Sequence, residues 1–113
     1  SNRIESFIPR MLVKLPFTGD HLGEFRLWCN LDIKRVKTED QAHAKGLLTE
    51  AANILSGVAL SSYADSYDLN LMLAPPRLIE VNQKMSANGT DYRLFLADCF
   101  CDCRVEVVKG ISR

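Results

Sequence analysis

The chain has 113 residues, and its 14 basic residues are balanced by 14 acidic ones, so the formal net charge is zero. This balance excludes the basic surface that general nucleic-acid and membrane-surface binders carry, and we expect neither kind of partner. The length predicts one domain over residues 1–113, large enough to bury a hydrophobic core without metal ions or disulfide bonds. The apolar runs are far shorter than the roughly 18 residues of a spanning helix and no signal peptide is visible, so we expect a cytoplasmic protein.

The first predicted elements are two strands joined in a β-hairpin. Residues 11–16 and 23–31 are apolar segments, and residues 18–20 between them, Thr-Gly-Asp, are typical of a turn. In the second strand, alternate apolar residues are expected to face the core: Phe25, Leu27, Cys29 and Leu31. Trp28 falls on the opposite face, where we expect it to be exposed. A second subunit or another element would then cover it, or else a neighbouring loop.

A long amphipathic helix is expected next. Its start matches a capping box, in which the Thr38 hydroxyl accepts a hydrogen bond from the Gln41 amide and the Gln41 side chain reaches back. We expect the helix to run to about Tyr63. Residues at the spacing of one buried stripe are Ala44, Leu47, Leu48, Ala51, Leu55, Val58 and Ser62.

The side of this helix that faces away from the stripe carries polar residues and glycines. At about 100° per residue, Gly46, Glu50, Asn53 and Gly57 lie within roughly 60° of one another. Each glycine inside a helix costs on the order of 1 kcal/mol relative to alanine, so two on one face indicate that another molecule approaches the backbone there. The alternative for Glu50 and Asn53 is that they have no function, since Glu and Asn three residues apart are commonplace on exposed helices. The alternative for the glycines is that they break the helix or arose by drift.

Further strands are expected after the helix, at residues 67–73, 77–82, 92–96 and 104–109. Pro75 and Pro76 end the first of these, because proline cannot donate a hydrogen bond to a ladder. The predicted fold class is therefore α+β, with a mainly antiparallel sheet of about six strands and one long helix packed on a face.

Three cysteines, Cys99, Cys101 and Cys103, alternate near the end of the chain, in a spacing that is not typical of zinc sites. If a strand begins near Cys99, all three share the parity of Val105 and face the core as small hydrophobic residues. A metal site completed by Cys29 or a histidine is one alternative, and a redox role is another.

No nucleophile motif, zinc-protease motif or glycine-rich phosphate loop is present in the sequence. His21 and His43 are therefore expected to be surface histidines. The basic residues Lys34, Arg35 and Lys37 are expected to be solvated rather than to bind phosphate.

The spacing of Glu50, Asn53 and Pro75 resembles the signature of the CheC/CheX/FliY family of chemotaxis phosphatases. The motif is Glu50-x-x-Asn53, followed after twenty-one further residues by Pro75. The helix sequence EAANILSGVALSSYA, the double proline after an extended strand and the segment LPFTGDHLG are also similar to that family. The resemblance covers roughly residues 11–108. The chain departs from the family at Gly46, where Asp or Ser is usual, and in the short segment 32–37, where a further helix is usual.

The resemblance implies a phosphatase that hydrolyses the phosphoaspartate of a response-regulator receiver domain, typically CheY. Asn53 and Glu50 would be the catalytic residues: the amide would position the attacking water without adding negative charge, and Glu50 would occupy a receiver lysine. Gly46 and Gly57 would let the receiver approach the helix, and Pro75 would be structural. The chain is expected to have no cofactor of its own, since Mg²⁺ would be supplied by the phosphorylated receiver domain.

A non-catalytic interaction module of the same fold, in a flagellar or signalling complex, is the alternative function. Gly46 and the short connection at residues 32–37 favour the module, whereas Glu50 and Asn53 favour the enzyme. The resemblance also leaves the oligomeric state open, because CheX-like members form homodimers through their sheets and CheC-like members act as monomers or with another partner. An exposed Trp28 would fit a homodimer.

Overall fold

One long helix packs on one face of an antiparallel sheet in this computed structural model, which describes residues 7–85, 87–96 and 98–110. The helix, α1, comprises Thr38–Tyr67, and a short 3-10 helix at Ile33–Arg35 precedes it. The strands are β1 (Met11–Gly19), β2 (Gly23–Cys29), β3 (Leu71–Leu73), β4 (Arg77–Glu80), β5 (Thr90–Leu96) and β6 (Cys99–Lys109). The predicted α+β class, with one long helix on a sheet of about six strands, is confirmed.

The sheet is built around β1, which has neighbours along both of its edges. β2 pairs with one edge, while β3 and β4 pair with successive parts of the other, and the order across the sheet is β3-β1-β2-β6-β5. Pro75 and Pro76 separate β3 from β4, as expected of residues that interrupt a ladder. The Ala74 amide donates to the Pro16 carbonyl at 2.7 Å, so the chain stays beside β1 across this break.

The hydrophobic core lies between α1 and the sheet. The strand residues that face it alternate along each strand, as the sequence predicts for the hairpin: Met11, Val13, Leu15 and Phe17 of β1, Phe25, Leu27 and Cys29 of β2, and Cys101, Cys103 and Val105 of β6. Tyr92, Leu94 and Leu96 of β5 pack against the same cluster while remaining half-buried. Burial of this apolar surface is the main term that holds the helix on the sheet.

The start of α1 differs from the predicted capping box. The N-cap residue is Lys37, its side chain makes no capping hydrogen bond, and Thr38 is already the first helical residue. The Gln41 side-chain amide donates to the Val36 carbonyl at 3.0 Å instead. The prediction was wrong because the chain enters from the 3-10 helix, Ile33–Arg35, which brings the Val36 carbonyl within reach of Gln41.

The end of α1 lies four residues beyond the expected Tyr63. Asp68 ends the helix in the left-handed conformation, with φ of 52°, which Asp tolerates better than most residues. The Leu69 amide then donates to the Ala64 carbonyl at 2.9 Å and satisfies part of the helix terminus. The strand expected at residues 67–73 is consequently limited to β3.

The buried residues of α1 form one row, spaced by four, on the side that contacts the sheet. This inner row consists of Ala44, Leu48, Ala52, Ser56 and Leu60, and the half-buried Leu55 and Ala59 pack beside it. Of the residues expected in the stripe, Val58 and Ser62 are exposed instead. A row of every fourth residue is inclined to the helix axis, so the buried line moves around the helix and reaches Ser56 and Leu60 in its second half.

The face of the sheet away from α1 is also partly buried. Trp28, which we expected to be exposed, retains only 2% of its accessible surface and donates from Nε1 to Glu106 Oε1 at 2.8 Å. Leu12 and Arg104 flank Trp28 in neighbouring strands and are equally buried. Residues 82–85 border this face beside Arg104, which fits the alternative in which a neighbouring loop covers Trp28.

Arg104 has a carboxylate partner on the next strand. Its guanidinium donates twice to Asp91, at 2.6 and 3.2 Å, and both side chains are almost wholly buried. This hydrogen bonding raises the pKa of Arg104 further above its ordinary value, against the opposite effect of burial. Because its charge is paired with Asp91, Arg104 can be buried on the far face of the sheet.

No helix among the described residues is long and apolar enough to cross a membrane.

Candidate functional site

The outer side of α1 gathers the polar residues and glycines that the sequence placed on one face. Gly46, Glu50 and Asn53 are exposed and Gly57 is half-buried. Two further residues of this side, Ile54 and Val58, are exposed to 60% and 68%. We call the set the outer face: Gly46, Glu50, Asn53, Ile54, Gly57 and Val58.

Glu50 and Asn53 form the chemical centre of the outer face. Residues three apart on a helix place their Cβ atoms about 5–6 Å from each other, so the carboxylate and the amide can reach one common ligand. Within the part of the chain that the structure describes, neither side chain forms a hydrogen bond or an ion pair. Both therefore keep their full donor and acceptor capacity for another molecule.

The two glycines of the outer face have no packing role within the described residues. A Cβ atom built on Gly46 or Gly57 would meet nothing within 4 Å. By contrast, a Cβ atom on Gly19 would lie 2.1 Å from the Asn70 carbonyl oxygen, and Gly19 also has a φ of 120°. The chain thus needs glycine at residue 19 for its own fold, whereas at residues 46 and 57 the fold supplies no such reason.

Pro75, the third part of the sequence signature, belongs to the sheet edge rather than to the outer face. It is exposed between β3 and β4, where it borders a small cavity together with Pro16, Leu22 and Arg77. It interrupts hydrogen bonding along β1 and lies in no helix, so its expected structural role agrees with its position.

The cysteines do not form a site of the kind that the sequence left open. Cys29, Cys101 and Cys103 are buried in the core, but Cys99 is exposed, contrary to expectation. Cys99 opens β6 immediately after Asp98, whose φ of 62° turns the chain at the tip of the hairpin, and it borders a cavity that also faces the first turns of α1. Its thiol donates to the Leu96 carbonyl at 3.2 Å.

Two of the buried thiols, those of Cys101 and Cys29, have a raised pKa that favours the protonated form. For Cys101, the hydrogen bond with Cys29 and burial raise the pKa well above its usual range. For Cys29, the hydrogen bond with Cys101 lowers the pKa, yet the bond with Cys103 and burial outweigh it and the net shift is upward. A protonated thiol is neither a nucleophile nor a good metal ligand. The described residues contain no cluster of three potential metal ligands.

His21 has a partner that the sequence did not reveal. Its Nδ1 atom lies 3.0 Å from the hydroxyl of Tyr63, and Lys109 Nζ lies 4.6 Å from the centre of the Tyr63 ring. These contacts join the β1–β2 turn and the end of β6 to the second half of α1. The cluster therefore helps to orient the helix on the sheet. His43 is exposed near the other end of α1.

The cavities of the molecule lie elsewhere. One of about 580 Å³ is bordered by residues 7–9 and 82–85 on the far face of the sheet. Another of about 900 Å³ lies between the 3-10 helix and the β5–β6 hairpin. Glu50 and Asn53 line neither cavity. Small substrates are usually enclosed in concave pockets, so an exposed helix face is better suited to a macromolecular partner.

Two solved structures are similar to this architecture. A chain of the crystal structure of the CheX–CheY–BeF3–Mg²⁺ complex from Borrelia burgdorferi superposes with a TM-score of 0.59 at 14% sequence identity, covering 93% of this chain and 86% of that one. The 1.30 Å structure of a chemotaxis protein CheX from Desulfovibrio desulfuricans superposes with a TM-score of 0.55 at 12% identity, covering 96% of this chain and 80% of that one.

The chain therefore has the fold of the CheX chemotaxis proteins, as the resemblance of its motif implies. No protein-family model matches the chain, and neither does any curated protein sequence. At these identities the likeness concerns the backbone.

Proposed function

We propose that the protein is a phosphatase that hydrolyses the phosphoaspartate of a CheY-type receiver domain. The observation that carries this proposal is the exposed, unpartnered pair of Glu50 and Asn53 on the outer face of α1. It is supported by a fold like that of CheX, for which one similar structure is a complex with CheY, BeF3 and Mg²⁺.

Asn53 is the residue proposed to position water. Phosphoryl transfer requires a water molecule in line with the bond that breaks and leaves little covalent chemistry to the protein. An amide can accept a hydrogen bond from that water and donate another, and it adds no negative charge beside the phosphoryl oxygens. The water oxygen forms the new bond to phosphorus, the aspartate carboxylate leaves, and the water protons remain on inorganic phosphate or pass to solvent.

Glu50 is proposed to fix the position of the bound receiver on α1. Its carboxylate lies one helical turn from Asn53 and has no cationic partner among the described residues, so it can pair with a receiver lysine. Such a pair would also withdraw the lysine from the phosphoryl group. Mg²⁺ is proposed to belong to the receiver, where it would neutralise charge on the phosphate.

Gly46 and Gly57 are proposed to be the points of closest approach. The fold does not require glycine at either position, and a glycine exposes its backbone on the side where the receiver would lie. The partner's loops could then approach the helix without meeting a Cβ atom. Pro75 is proposed to hold the sheet edge and not to contact the substrate.

The experiment that tests this proposal is phosphate release from a Mg²⁺-loaded CheY-type receiver of the same organism, phosphorylated with acetyl phosphate. We expect the protein to accelerate release well above the receiver's own rate, and Asn53→Ala to lose about a hundredfold of that acceleration. Asn82→Ala, which changes an exposed asparagine outside the outer face, is the matched control and should retain full activity.

A non-catalytic interaction module is the second candidate, and Gly46 favours it because the residue supplies no polar group where the family usually has Asp or Ser. The two candidates differ in one measurable respect. A module would bind the phosphorylated receiver without shortening the lifetime of its phosphoaspartate, and Asn53→Ala would leave that lifetime unchanged.

A further inference from the structure

The outer face contains an apolar pair that neither the sequence motif nor the proposed chemistry uses. Ile54 and Val58 are exposed to 60% and 68%, although both are large branched aliphatic residues. They follow Glu50 at intervals of four residues, so their side chains lie about one and two turns from it on one side of α1.

Apart from Glu50, which lies one turn before Ile54, the helix carries no charged residue around Ile54 and Val58. From residue 51 to residue 64 the sequence contains no Asp, Glu, Lys or Arg, whereas Glu39, Asp40 and Lys45 lie in the preceding turns. Solvated helix faces normally carry charged residues. Depletion of charge together with exposed apolar side chains is typical of the centre of a protein–protein interface.

An interface of ordinary size that is centred on Asn53 would include both Ile54 and Val58. A partner that brings a phosphoaspartate to Asn53 would bury about 800 Å² of this chain, which corresponds to a patch with a radius of about 16 Å. Ile54 is the next residue after Asn53, and Val58 lies about 7.5 Å from Asn53 along the helix axis at about 1.5 Å per residue. A receiver centred on Asn53 would therefore cover them both.

We infer that Ile54 and Val58 form the apolar anchor that binds the CheY-type receiver, beside the residues that act on its phosphoryl group. The inference rests on the proposed function and adds to it that Asn53 governs the chemical step, whereas Ile54 and Val58 govern the affinity for the receiver. The matching surface on the receiver is apolar and borders its phosphorylation site.

The test uses Ile54→Ala/Val58→Ala, because alanine favours the helix and both sites are exposed, so the variant should fold like the parent protein. With the phosphorylated, Mg²⁺-loaded receiver we expect KM to rise by about tenfold or more while kcat changes by less than about twofold. Met72→Ala removes an equally exposed apolar side chain from β3 and is the matched control, for which both constants should remain unchanged.

A binding measurement separates this inference from the proposed function. The receiver loaded with Mg²⁺ and BeF3 is titrated with each protein by calorimetry, and the double variant should bind about tenfold or more weakly than the parent protein and Met72→Ala. If the parent protein binds without accelerating phosphate release, the proposed phosphatase is wrong, and weaker binding of the double variant still supports the anchor.

Three results would overturn the anchor. The first is hydrolysis by the double variant with an unchanged KM, which would leave the proposed phosphatase intact. The second is equal binding of the BeF3-loaded receiver by parent and variant, or no binding by either. The third is a parent dimer that the double substitution dissociates in analytical ultracentrifugation while KM stays constant, since a second copy of this chain would then be the occupant.

Discussion

The inner and outer sides of α1 are both rich in small residues, but for different reasons. On the inner row, Ala44, Ala52 and Ser56 are fully buried against the sheet, where a larger side chain would collide with the core. On the outer face, Gly46 and Gly57 meet nothing that a Cβ atom would disturb. A small residue on this helix is thus explained by packing on the inner side, whereas packing does not explain the glycines on the outer side.

The two sides also differ in how their polar groups are placed. Ser56 is buried with a hydroxyl that has no hydrogen-bond partner among the described residues, which lowers stability. Glu50 and Asn53 are equally unpartnered but fully solvated, so they cost the fold nothing. The same kind of substitution should therefore change the free energy of unfolding differently on the inner and outer sides of α1.

The largest effect is expected from a truncation on the inner row. Leu48→Ala should lower the free energy of unfolding by about 3 kcal/mol, because Leu48 is fully buried and leaves a cavity against the sheet. Ile54→Ala is the same kind of truncation on the outer face and should change the stability by less than about 0.5 kcal/mol. Urea unfolding measures both, and an equal loss for the two variants would contradict the assignment of the two sides.

A smaller effect of opposite sign is expected from the buried serine. Ser56→Ala should raise the free energy of unfolding by about 1–2 kcal/mol, since it removes an unpaired buried hydroxyl and introduces a better helix former. Ser62→Ala changes only the helix propensity, at an exposed position, and should gain about 0.5 kcal/mol or less. If Ser56→Ala proved destabilising, the hydroxyl would have a partner in the folded protein.

The smallest effects are expected from the glycines of the outer face. Gly46→Ala and Gly57→Ala should each stabilise the protein by about 1 kcal/mol, because there is room for a methyl group and alanine loses less backbone entropy. If a receiver approaches the backbone at these positions, the same variants should have a lower kcat/KM. A gain in stability with unchanged activity would remove the glycines from the docking surface.

Most of the secondary structure could be predicted because it depends on local periodicity. The alternation of Phe25, Leu27 and Cys29 predicts a strand, and the turn residues before it predict a hairpin, as the structure shows. Pro75 and Pro76 interrupt an edge strand for covalent reasons alone. These features need no knowledge of the neighbouring elements.

The wrong predictions concern residues whose burial depends on contacts between segments that are distant in the sequence. Trp28 is buried between Leu12 and Arg104 of the neighbouring strands, and Glu106, which is 78 residues away in the sequence, accepts the hydrogen bond of its indole. Cys99 is exposed because an open cavity separates the hairpin tip from the first turns of α1, although its parity matches that of Cys101. Val58 faces outward because the contact of α1 with the sheet follows one inclined row of residues. None of these relations has a local signature.

The sequence by itself determined that Glu50, Asn53 and the two glycines share one face, since their angular separation is a property of any α-helix with 3.6 residues per turn. Only the tertiary structure decided that this face points to solvent, because the direction depends on which side of α1 the sheet covers. It also decided that Ile54 and Val58 lie beside Glu50 and Asn53 on the exposed side. The physical reason is that helix geometry is set by backbone hydrogen bonds within the segment, whereas its orientation is set by the burial of apolar surface between segments.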